Sequence, residues 1–339
     1  MAEVAINGLG RIGRAFLKIA IKRPELEIVA VNDLGDLGNL AYLLQYDTAY
    51  GKFDMPVVAR DGKLVVGEKE ITFLQEKDPS KLPWGQLGVD VVVESTGIFE
   101  TYEKSRAHLK AGAKRVVITA PVHENSPADL PCATVLMGIN DDKLANCVIS
   151  SNASCTTNSA SPLIHILNET IGIEKALLNT THGYTATQKL VDSPDAKDWR
   201  RGRAGAQNIV PSTTGAAISV TQAIPDLEGK FDGIALRVPV ITGSIADITF
   251  VAKRDTSVEE VNDILRKAAG EERWKGIYTA TDEQFVSADI IGTPYAAIAD
   301  LSFTKVVGGN LVKVLSWYDN EMGYTYALVE HIIKSASYL

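Results

Sequence analysis

The chain is poor in the residues and runs that would place it in several protein classes. It has three cysteines and five histidines among 339 residues. Three cysteines cannot build a disulfide framework in a chain of this length. No apolar run approaches the roughly 18 residues needed to span a bilayer, and the formal net charge of -8 disfavours a general attraction to nucleic acid or to an anionic membrane. We therefore expect a cytoplasmic protein with no membrane partner and without nucleic acid as its primary partner.

The pattern of apolar residues divides the chain into two halves. In the first half, short runs rich in Val and Ile lack polar alternation, as strands buried on both faces do. This pattern predicts a parallel sheet covered by helices. We expect strands at 4–6, 27–31, 89–93, 115–119, 134–138 and 147–150, and helices at 11–21 and 101–111.

The second half indicates a mainly antiparallel sheet with helices on one side, because its strands alternate more between apolar and polar residues. We expect strands at 177–181, 234–238, 245–252 and 311–318, and helices at 158–171, 258–269 and 323–335. Residues 188–212 show no clear period. An unstructured loop of that length inside a compact domain is unusual and is often functional.

A glycine-rich turn, Gly8-Leu9-Gly10-Arg11-Ile12-Gly13, follows the first strand and opens the first helix. Its glycines bring backbone N–H groups close to a pyrophosphate, and the helix N-terminus adds partial positive charge. Asp33 ends the second strand about twenty residues further on, where an acid accepts hydrogen bonds from the ribose of NAD and repels the 2′-phosphate of NADP. The alternative interpretation is a structural turn with an N-capping Asp. The strand–turn–helix–strand–Asp context favours a dinucleotide site.

Cys155 lies in a polar block, residues 151–158, between a buried strand and a helix. A thiol at a helix N-terminus is favoured as the thiolate, which is the reactive species. The alternative is a small core residue beside helix-capping hydroxyls. Cys132, in a loop after a proline, and Cys147, inside an apolar strand, fit that alternative better.

His182 ends a predicted strand and begins a polar loop, where its imidazole could act as a base toward Cys155. The sequence alone does not show that the two side chains meet. The remaining histidines, His108, His123, His165 and His331, lie in helical patterns or a loop, and we interpret them as surface or packing residues.

Together these features predict an α/β protein of two domains. A Rossmann-type dinucleotide-binding domain would span 1–152 and be completed by a C-terminal helix at 319–339. An α+β catalytic domain with a mainly antiparallel sheet would span 153–318.

Several blocks resemble those of the glyceraldehyde-3-phosphate dehydrogenase family, in family order and over nearly the whole chain. They are residues 7–13, 94–97, 151–158, 182–188, 207–217 and 316–324. The resemblance implies an NAD-dependent, phosphorylating aldehyde dehydrogenase that acts on glyceraldehyde 3-phosphate and inorganic phosphate as a homotetramer in glycolysis and gluconeogenesis. It implies Cys155 as the nucleophile that forms a thioester and His182 as the base. No metal is expected.

The resemblance also implies roles for two further sets of residues. The cofactor set is Gly8, Gly10, Arg11, Ile12, Gly13, Asp33, Lys77, Thr119 and Asn320. The set for the substrate phosphate and inorganic phosphate is Ser154, Thr156, Thr185, Arg201, Thr214, Gly215 and Arg237. Hydroxyls, a glycine N–H and guanidinium groups suit the binding of phosphate. Arg201 belongs to the cluster Arg200-Arg201-Gly202-Arg203 in the 188–212 loop, which in the family supports the cofactor site of a neighbouring subunit; the alternative is a solvated charge cluster.

The sequence departs from the family pattern at a few positions. Lys77 stands where Arg is common, Ser159 where a second cysteine is frequent and Met322 where an aromatic residue is common, and residues 240–245 do not match the usual segment.

Other functions stay open. One is an erythrose-4-phosphate dehydrogenase of the same superfamily, another is a cysteine hydrolase or acyltransferase without a redox step, and a third is a catalytically silent binding protein. The glycine-rich turn with Asp33 argues against the second of these.

Overall fold

The computed structural model describes residues 1–196 and 198–339, so Lys197 of the predicted loop lies outside the described residues. The chain divides into two compact units. The first comprises Met1–Leu136, Asn140–Ala153 and Leu328–Leu339, and the second Met137–Ile139 and Ser154–Ala327. The domain boundaries given above stay predictions. No helix among the described residues is long and apolar enough to cross a membrane.

The first unit is built on a largely parallel sheet. Its strands are β1 (Ala2–Asn7), β2 (Leu26–Asn32), β3 (Tyr46–Asp47), β4 (Gly51–Lys52), β5 (Val57–Arg60), β6 (Lys63–Val66), β7 (Lys69–Leu74), β8 (Val91–Glu94), β9 (Arg115–Ile118), β10 (Cys132–Thr134) and β11 (Ile149–Ser151). The main sheet has the order β10-β11-β9-β8-β1-β2-β7-β6-β5, and β3 pairs with β4 apart from it. Pairs β7–β6 and β6–β5 are antiparallel. Pairs β1–β2 and β1–β8 are parallel, which brings the ends of β1, β2 and β8 to one edge.

Three α-helices lie wholly within this described unit, and the residues that bound the last of them explain where it begins and ends. The three are α1 (Arg11–Ala20), α2 (Leu37–Gln45) and α3 (Tyr102–Lys110). The hydroxyl of Thr101 caps α3 by accepting the Lys104 N–H. Beyond its C-terminus, Gly112 has a φ of +102°, which glycine adopts at no steric cost.

The second unit carries the predicted, mainly antiparallel sheet. Its strands are β12 (Ile173–Gly183), β13 (Val210–Thr213), β14 (Phe231–Val238), β15 (Ser244–Ala252), β16 (Tyr278–Thr281), β17 (Ala297–Val307) and β18 (Leu311–Tyr318), in the order β13-β14-β12-β15-β18-β17-β16. Only the pairs β12–β14 and β16–β17 are parallel within this described sheet. Helices α4 (Cys155–Thr170), α5 (Ala216–Ala223) and α6 (Val258–Ala268) pack against the sheet. The last helix, α7 (Met322–Ala336), begins in the second unit and ends in the first.

The predicted fold class is confirmed, whereas several local predictions were wrong. The strand expected at 134–138 lies at Cys132–Thr134, because the chain turns at Gly138, whose φ is +78°. The strand expected at 147–150 begins only at Ile149, after a 3-10 helix at Asp141–Asn146. Cys132 is therefore in a strand and Cys147 precedes one. The aperiodic loop contains a short 3-10 helix, Trp199–Gly202.

Candidate active site

A cavity of about 320 Å³ lies beside the glycine-rich turn in the first unit. Its lining includes four of the predicted cofactor residues, Gly8, Gly10, Asp33 and Lys77, together with Asn7 and Asn32. These residues lie at or just after the carboxyl ends of β1, β2 and β7. The carboxyl ends of parallel strands are where ligands bind in open α/β sheets.

Each glycine of the turn meets a different requirement. Gly8 has a φ of +98°, and a Cβ there would come within 2.8 Å of the Ser95 and Thr96 backbone. A Cβ on Gly13 would lie 2.0 Å from the carbonyl oxygen of Gly8, so only glycine allows α1 to pack on the turn. A Cβ on Gly10 would meet nothing within 4 Å. Gly10 is the N-cap of α1, and this open space leaves the first N–H groups of the helix accessible to a pyrophosphate.

Asp33 holds the edge of the cavity in place. One carboxylate oxygen accepts the Leu9 N–H at 2.7 Å, and the other accepts the Gly35 N–H at 2.8 Å. The first bond ties the end of β2 to the glycine-rich turn. Each carboxylate oxygen has a second lone pair, so Asp33 retains acceptor capacity for ribose hydroxyls.

The other predicted cofactor residues hold different positions. The Arg11 guanidinium pairs with Asp47 at 2.6 Å, so its charge is already engaged within the unit. Ile12 follows it as the second residue of α1. Thr119 follows β9, and its hydroxyl donates to the Glu94 carbonyl at 3.1 Å. Asn320 belongs to the second unit.

The second unit brings together the thiol and the imidazole singled out in the sequence. Cys155 is the first residue of α4, and the hydroxyl of Ser154 caps that helix by accepting the Thr157 N–H at 3.1 Å. The Cys155 Sγ lies 3.3 Å from His182 Nε2. His182 lies within the last residues of β12 and is only 3% exposed. A proton can pass directly between a sulfur and a nitrogen at this distance.

Burial and the charge of Arg237 shift the pKa of both groups. Burial, reinforced by the charge of Arg237, lowers the pKa of His182 to about 3. Burial raises the pKa of the Cys155 thiol, against the lowering effects of Arg237 and of the Thr156 N–H. Burial thus opposes the thiolate that Arg237 and the first turn of α4 favour, and the predicted activation of Cys155 stays a prediction. The 3.3 Å contact places His182 Nε2 to take the proton when the sulfur attacks.

Two groups compete for the other nitrogen of the imidazole. His182 Nδ1 lies 2.6 Å from the Gly183 carbonyl oxygen and 2.5 Å from an Arg237 guanidinium nitrogen. The carbonyl requires a proton on Nδ1, whereas the guanidinium, a donor only, requires a lone pair. His182 accepts a proton from Cys155 only when Nε2 is bare, which requires the proton on Nδ1. The base-competent tautomer is thus the one that donates to Gly183.

Four of the predicted phosphate-binding residues, Arg237, Arg201, Thr214 and Gly215, lie on or beside the strand pair β13–β14. Arg237 pairs with His182 across β12–β14 and with Val210 across β13–β14. Arg201 donates to the Ser212 hydroxyl on β13 at 2.9 Å, and Thr214 and Gly215 directly follow that strand. Burial lowers the pKa of Arg237, and the charge of Arg201 lowers it further. A partly desolvated guanidinium group beside a second positive charge suits a site for an anion.

The remaining predicted anion donors are partly engaged by neighbours. The hydroxyl of Thr185 lies 2.9 Å from that of Thr187. Thr156 Oγ1 lies 2.9 Å from the hydroxyl of Tyr318. Thr156 can donate to a phosphate without losing this partner if the Tyr318 hydroxyl is the donor between them.

Tyr318 is a site residue to which the sequence interpretation gave no role. Its hydroxyl bridges Thr156 and Thr180, the latter at 2.7 Å, and its ring lies edge-on to His182 with centroids 6.0 Å apart. Burial raises its pKa, so the phenol stays neutral. The available signal was its position at the end of an alternating strand, directly before Asp319 and Asn320.

Comparison with known proteins identifies the family. Residues 2–102 match the NAD binding domain of glyceraldehyde 3-phosphate dehydrogenase, and residues 154–320 match its C-terminal domain. Glyceraldehyde-3-phosphate dehydrogenase of Clostridium pasteurianum is 45% identical over 334 residues, 97% of each chain. That of Geobacillus stearothermophilus is 46% identical over 331 residues, 97% of this chain and 96% of its own. Glyceraldehyde-3-phosphate dehydrogenase A of Escherichia coli K12 is 44% identical over 335 residues, 98% of this chain and 99% of its own.

The chain belongs to the glyceraldehyde-3-phosphate dehydrogenase family. It is an NAD-dependent oxidoreductase, and NAD is its cofactor. The glycine-rich turn and the 320 Å³ cavity both lie in the part that matches the family's NAD binding domain. Both Cys155 and His182 lie in the part that matches the C-terminal domain.

The structure shows the hydrogen-bond partners of two of the positions that depart from the family pattern. Ser159, in place of a second thiol, lies with its hydroxyl 2.8 Å from that of Ser316. In the divergent 240–245 segment, Ser244 donates to Asn320 Oδ1 at 2.8 Å, whereas the hydroxyl proton of Thr242 goes to the nearer Asp319 carboxylate at 2.9 Å. This segment therefore orients the Asn320 amide and leaves its NH2 group for another partner. The structure gives no account of Met322.

Proposed function

We propose that the protein catalyses the phosphorylating oxidation of D-glyceraldehyde 3-phosphate to 1,3-bisphosphoglycerate, with NAD as the hydride acceptor, in glycolysis and gluconeogenesis. The observation that carries this proposal is the 3.3 Å contact between Cys155 Sγ and His182 Nε2 in a chain of this family. The cavity beside the glycine-rich turn supports NAD binding, because Gly10 leaves room for a pyrophosphate and Asp33 has lone pairs for the ribose.

In the proposed first step, Cys155 Sγ attacks the aldehyde carbon and forms a hemithioacetal. His182 Nε2 takes the thiol proton, and a proton returns from it to the former carbonyl oxygen. The backbone N–H of Cys155, at the first turn of α4, is a donor for that oxygen while it carries negative charge. Holding the sulfur and base together supplies much of the rate, since effective molarities reach about 10⁵ M or more.

In the second step, His182 removes the hydroxyl proton while the hydride leaves the same carbon, and the hemithioacetal becomes a thioester on Cys155. NAD supplies the hydride acceptor when it is bound. We propose that Asn320 presents its NH2 group to the nicotinamide carboxamide, because Ser244 already donates to its oxygen.

In the last step, an oxygen of inorganic phosphate attacks the thioester carbon, and the C–S bond breaks. The Cys155 sulfur takes back the proton held by His182 Nε2, and the acyl phosphate leaves. The residues proposed to bind the two phosphate groups are Ser154, Thr156, Thr185, Arg201, Thr214, Gly215 and Arg237. An anion that binds Arg237 would draw its guanidinium from His182 Nδ1. The Gly183 carbonyl would then hold the base-competent tautomer.

The decisive experiment measures NADH formation from glyceraldehyde 3-phosphate with and without inorganic phosphate. We expect sustained turnover only with phosphate, and a single burst at most without it, because the thioester then accumulates. Erythrose 4-phosphate in place of the triose, and NADP in place of NAD, form the comparison panel. A higher kcat/KM with erythrose 4-phosphate than with glyceraldehyde 3-phosphate would contradict the proposed reaction. Turnover that does not depend on inorganic phosphate would contradict it as well. A preference for NADP would contradict the role of Asp33.

We further propose that the protein works as a cytoplasmic homotetramer. The sheet of the second unit exposes Leu177 (66%), Ile234 (54%) and Leu311 (42%), and exposed apolar patches of this kind mark interaction surfaces. All three cysteines are free thiols, which suits a reducing compartment. Light scattering coupled to size exclusion should give the mass of four chains. A monomer at micromolar concentration would contradict the assembly.

A further inference from the structure

A chain of buried hydrogen bonds runs beneath the NAD cavity, and no step of the proposed reaction uses it. The indole N–H of Trp84 donates to His108 Nδ1 at 3.0 Å. His108 Nε2 lies 2.9 Å from a carboxylate oxygen of Glu94, and Asn7 Nδ2 donates to the same oxygen at 2.6 Å. The side chains of His108 and Glu94 are 0% and 1% exposed. A buried ionisable pair is costly unless hydrogen bonds compensate for its lost hydration. Apolar side chains in the same place would need no such compensation.

The chain continues to the wall of the cavity. Asn32 Nδ2 donates to Asn7 Oδ1 at 2.7 Å, and the Glu76 N–H donates to Asn32 Oδ1 at 2.8 Å. Asn7, Asn32 and Glu76 all line the cavity. The Asn32 carbonyl also accepts the Gly8 N–H at 2.8 Å. Because Asn32 precedes Asp33 and Glu76 precedes Lys77, this chain connects three parts of the cofactor site: the glycine-rich turn, Asp33 and Lys77.

The donor and the acceptor of each hydrogen bond in this chain follow from the side chains at its buried end, Trp84 and Glu94. An indole only donates, so His108 Nδ1 accepts and its Nε2 carries the proton, which faces Glu94. A carboxylate only accepts, so Asn7 turns its NH2 toward Glu94 and its oxygen toward Asn32. The second Glu94 oxygen accepts from the Thr96 N–H at 2.8 Å and the Thr96 hydroxyl at 2.5 Å. An amide in this chain that flipped would place donor against donor at the cavity wall.

We propose that Glu94 and His108 are positioning residues for NAD. They fix the orientation of the Asn7 and Asn32 amides, and through them the geometry of the turn, Asp33 and the Glu76–Lys77 wall. This inference rests on the proposed function in one respect, that the cavity holds NAD. Loss of the His108 donor leaves the Glu94 carboxylate with fewer partners and loosens the chain. Cofactor affinity then falls, while the thiol chemistry at saturating NAD is retained.

The test uses the full-length enzyme with His108→Leu and His108→Gln, because glutamine places an N–H donor where His108 Nε2 stood and leucine does not. A matched control is His331→Leu. His331 is equally buried in the same unit, with Ser150 Oγ 2.7 Å from its Nε2 and Asn152 Oδ1 3.0 Å from its Nδ1. For each variant, calorimetric titration gives the Kd for NAD and for ADP-ribose, steady-state kinetics give kcat and KM, and thermal denaturation gives Tm.

We expect His108→Leu to raise both Kd values and the KM for NAD about tenfold, the equivalent of one buried hydrogen bond, with kcat close to that of the wild type. His108→Gln should stay within about twofold of the wild type. His331→Leu should lower Tm without changing either Kd. If His108 only packed in the core, His108→Leu would keep a Kd for NAD closer to that of the wild type than His108→Gln does, because leucine is the apolar substitute.

Folded His108→Leu that binds NAD as the wild type does would overturn the proposal, as would an equal rise in Kd for His331→Leu. If His108→Leu does not fold, Glu94→Gln decides, because its amide cannot accept from all the donors that face Glu94. An unchanged Kd for that variant would also overturn the proposal. Wild-type enzyme that binds no NAD would contradict the proposed function itself, and the inference with it.

Discussion

Arg237 lies 2.5 Å from Nδ1 of His182 on the neighbouring strand. The same guanidinium lowers the pKa of both the imidazole and the Cys155 thiol. One side chain therefore connects the proposed anion site to the charge state of the nucleophile and the tautomer of its base.

Replacement of Arg237 by glutamine should slow the alkylation of Cys155. Without the guanidinium charge the thiol pKa rises further, so less thiolate exists at a given pH below it. The rate of reaction with iodoacetamide should fall in proportion to the thiolate fraction, because the thiolate is the reactive species. Mass spectrometry of the Cys155 peptide at pH 7 and pH 8 measures the effect. Arg203→Gln is the control, since Arg203 pairs with Asp192 on the surface. Alkylation of Arg237→Gln at the wild-type rate would contradict the electrostatic assignment.

Loss of the nucleophile or of the base should remove activity in different ways. Cys155→Ser should abolish NADH formation, by more than about a thousandfold, because a hydroxyl is a far weaker nucleophile than a thiol. His182→Asn should slow hydride transfer while the thioester route persists. Single-turnover kinetics separates the two, and NAD titration shows whether both variants still bind cofactor. Appreciable turnover by Cys155→Ser would exclude the thioester mechanism.

The two glycines on either side of Arg11 and Ile12 should respond in opposite ways to a single methyl group. Gly10→Ala has open space and should fold normally, but its methyl group would meet the pyrophosphate and weaken NAD binding about tenfold or more. Gly13→Ala would place a Cβ 2.0 Å from Gly8 O and should lose about 1–3 kcal/mol of stability through overpacking. Thermal denaturation and NAD titration of both variants test this contrast. Tight NAD binding by Gly10→Ala would show that the pyrophosphate lies elsewhere.

Acid should destabilise the protein in part through His331. Burial lowers the pKa of this residue from 6.5 to about 3. Between these values the unfolded chain binds a proton that the native state does not, so stability falls as the pH drops below 6.5. His331→Leu removes this dependence, worth about 1.4 kcal/mol per pH unit. The fall in Tm from pH 7 to pH 5 should therefore be smaller for the variant than for the wild type. An equal fall in both proteins would show that His331 is protonated in the native state.

Much of the fold could be predicted from the sequence because its signals are local. The Gly8–Gly13 turn and Asp33 follow strands whose apolar runs are unambiguous, and Thr101 and Gly112 bound a helix by chemistry visible in the residues themselves. The strands near Cys132 and Cys147 were misplaced by two or more residues. There the boundary depends on Gly138 and on a 3-10 helix, and neither changes the apolar pattern.

The order and spacing of the residues are enough to indicate which of them carry chemistry: the thiol at a helix start, an imidazole at a strand end, a glycine turn and an acid at fixed spacing. How those groups behave depends on the assembled fold. The 3.3 Å contact of Cys155 with His182 joins residues of α4 and β12, and the burial that shifts the pKa of both groups is a property of packing. The same holds for Tyr318 and for the chain from His108 to Asn32, because hydrogen bonds between residues distant in sequence form only once the sheets have assembled.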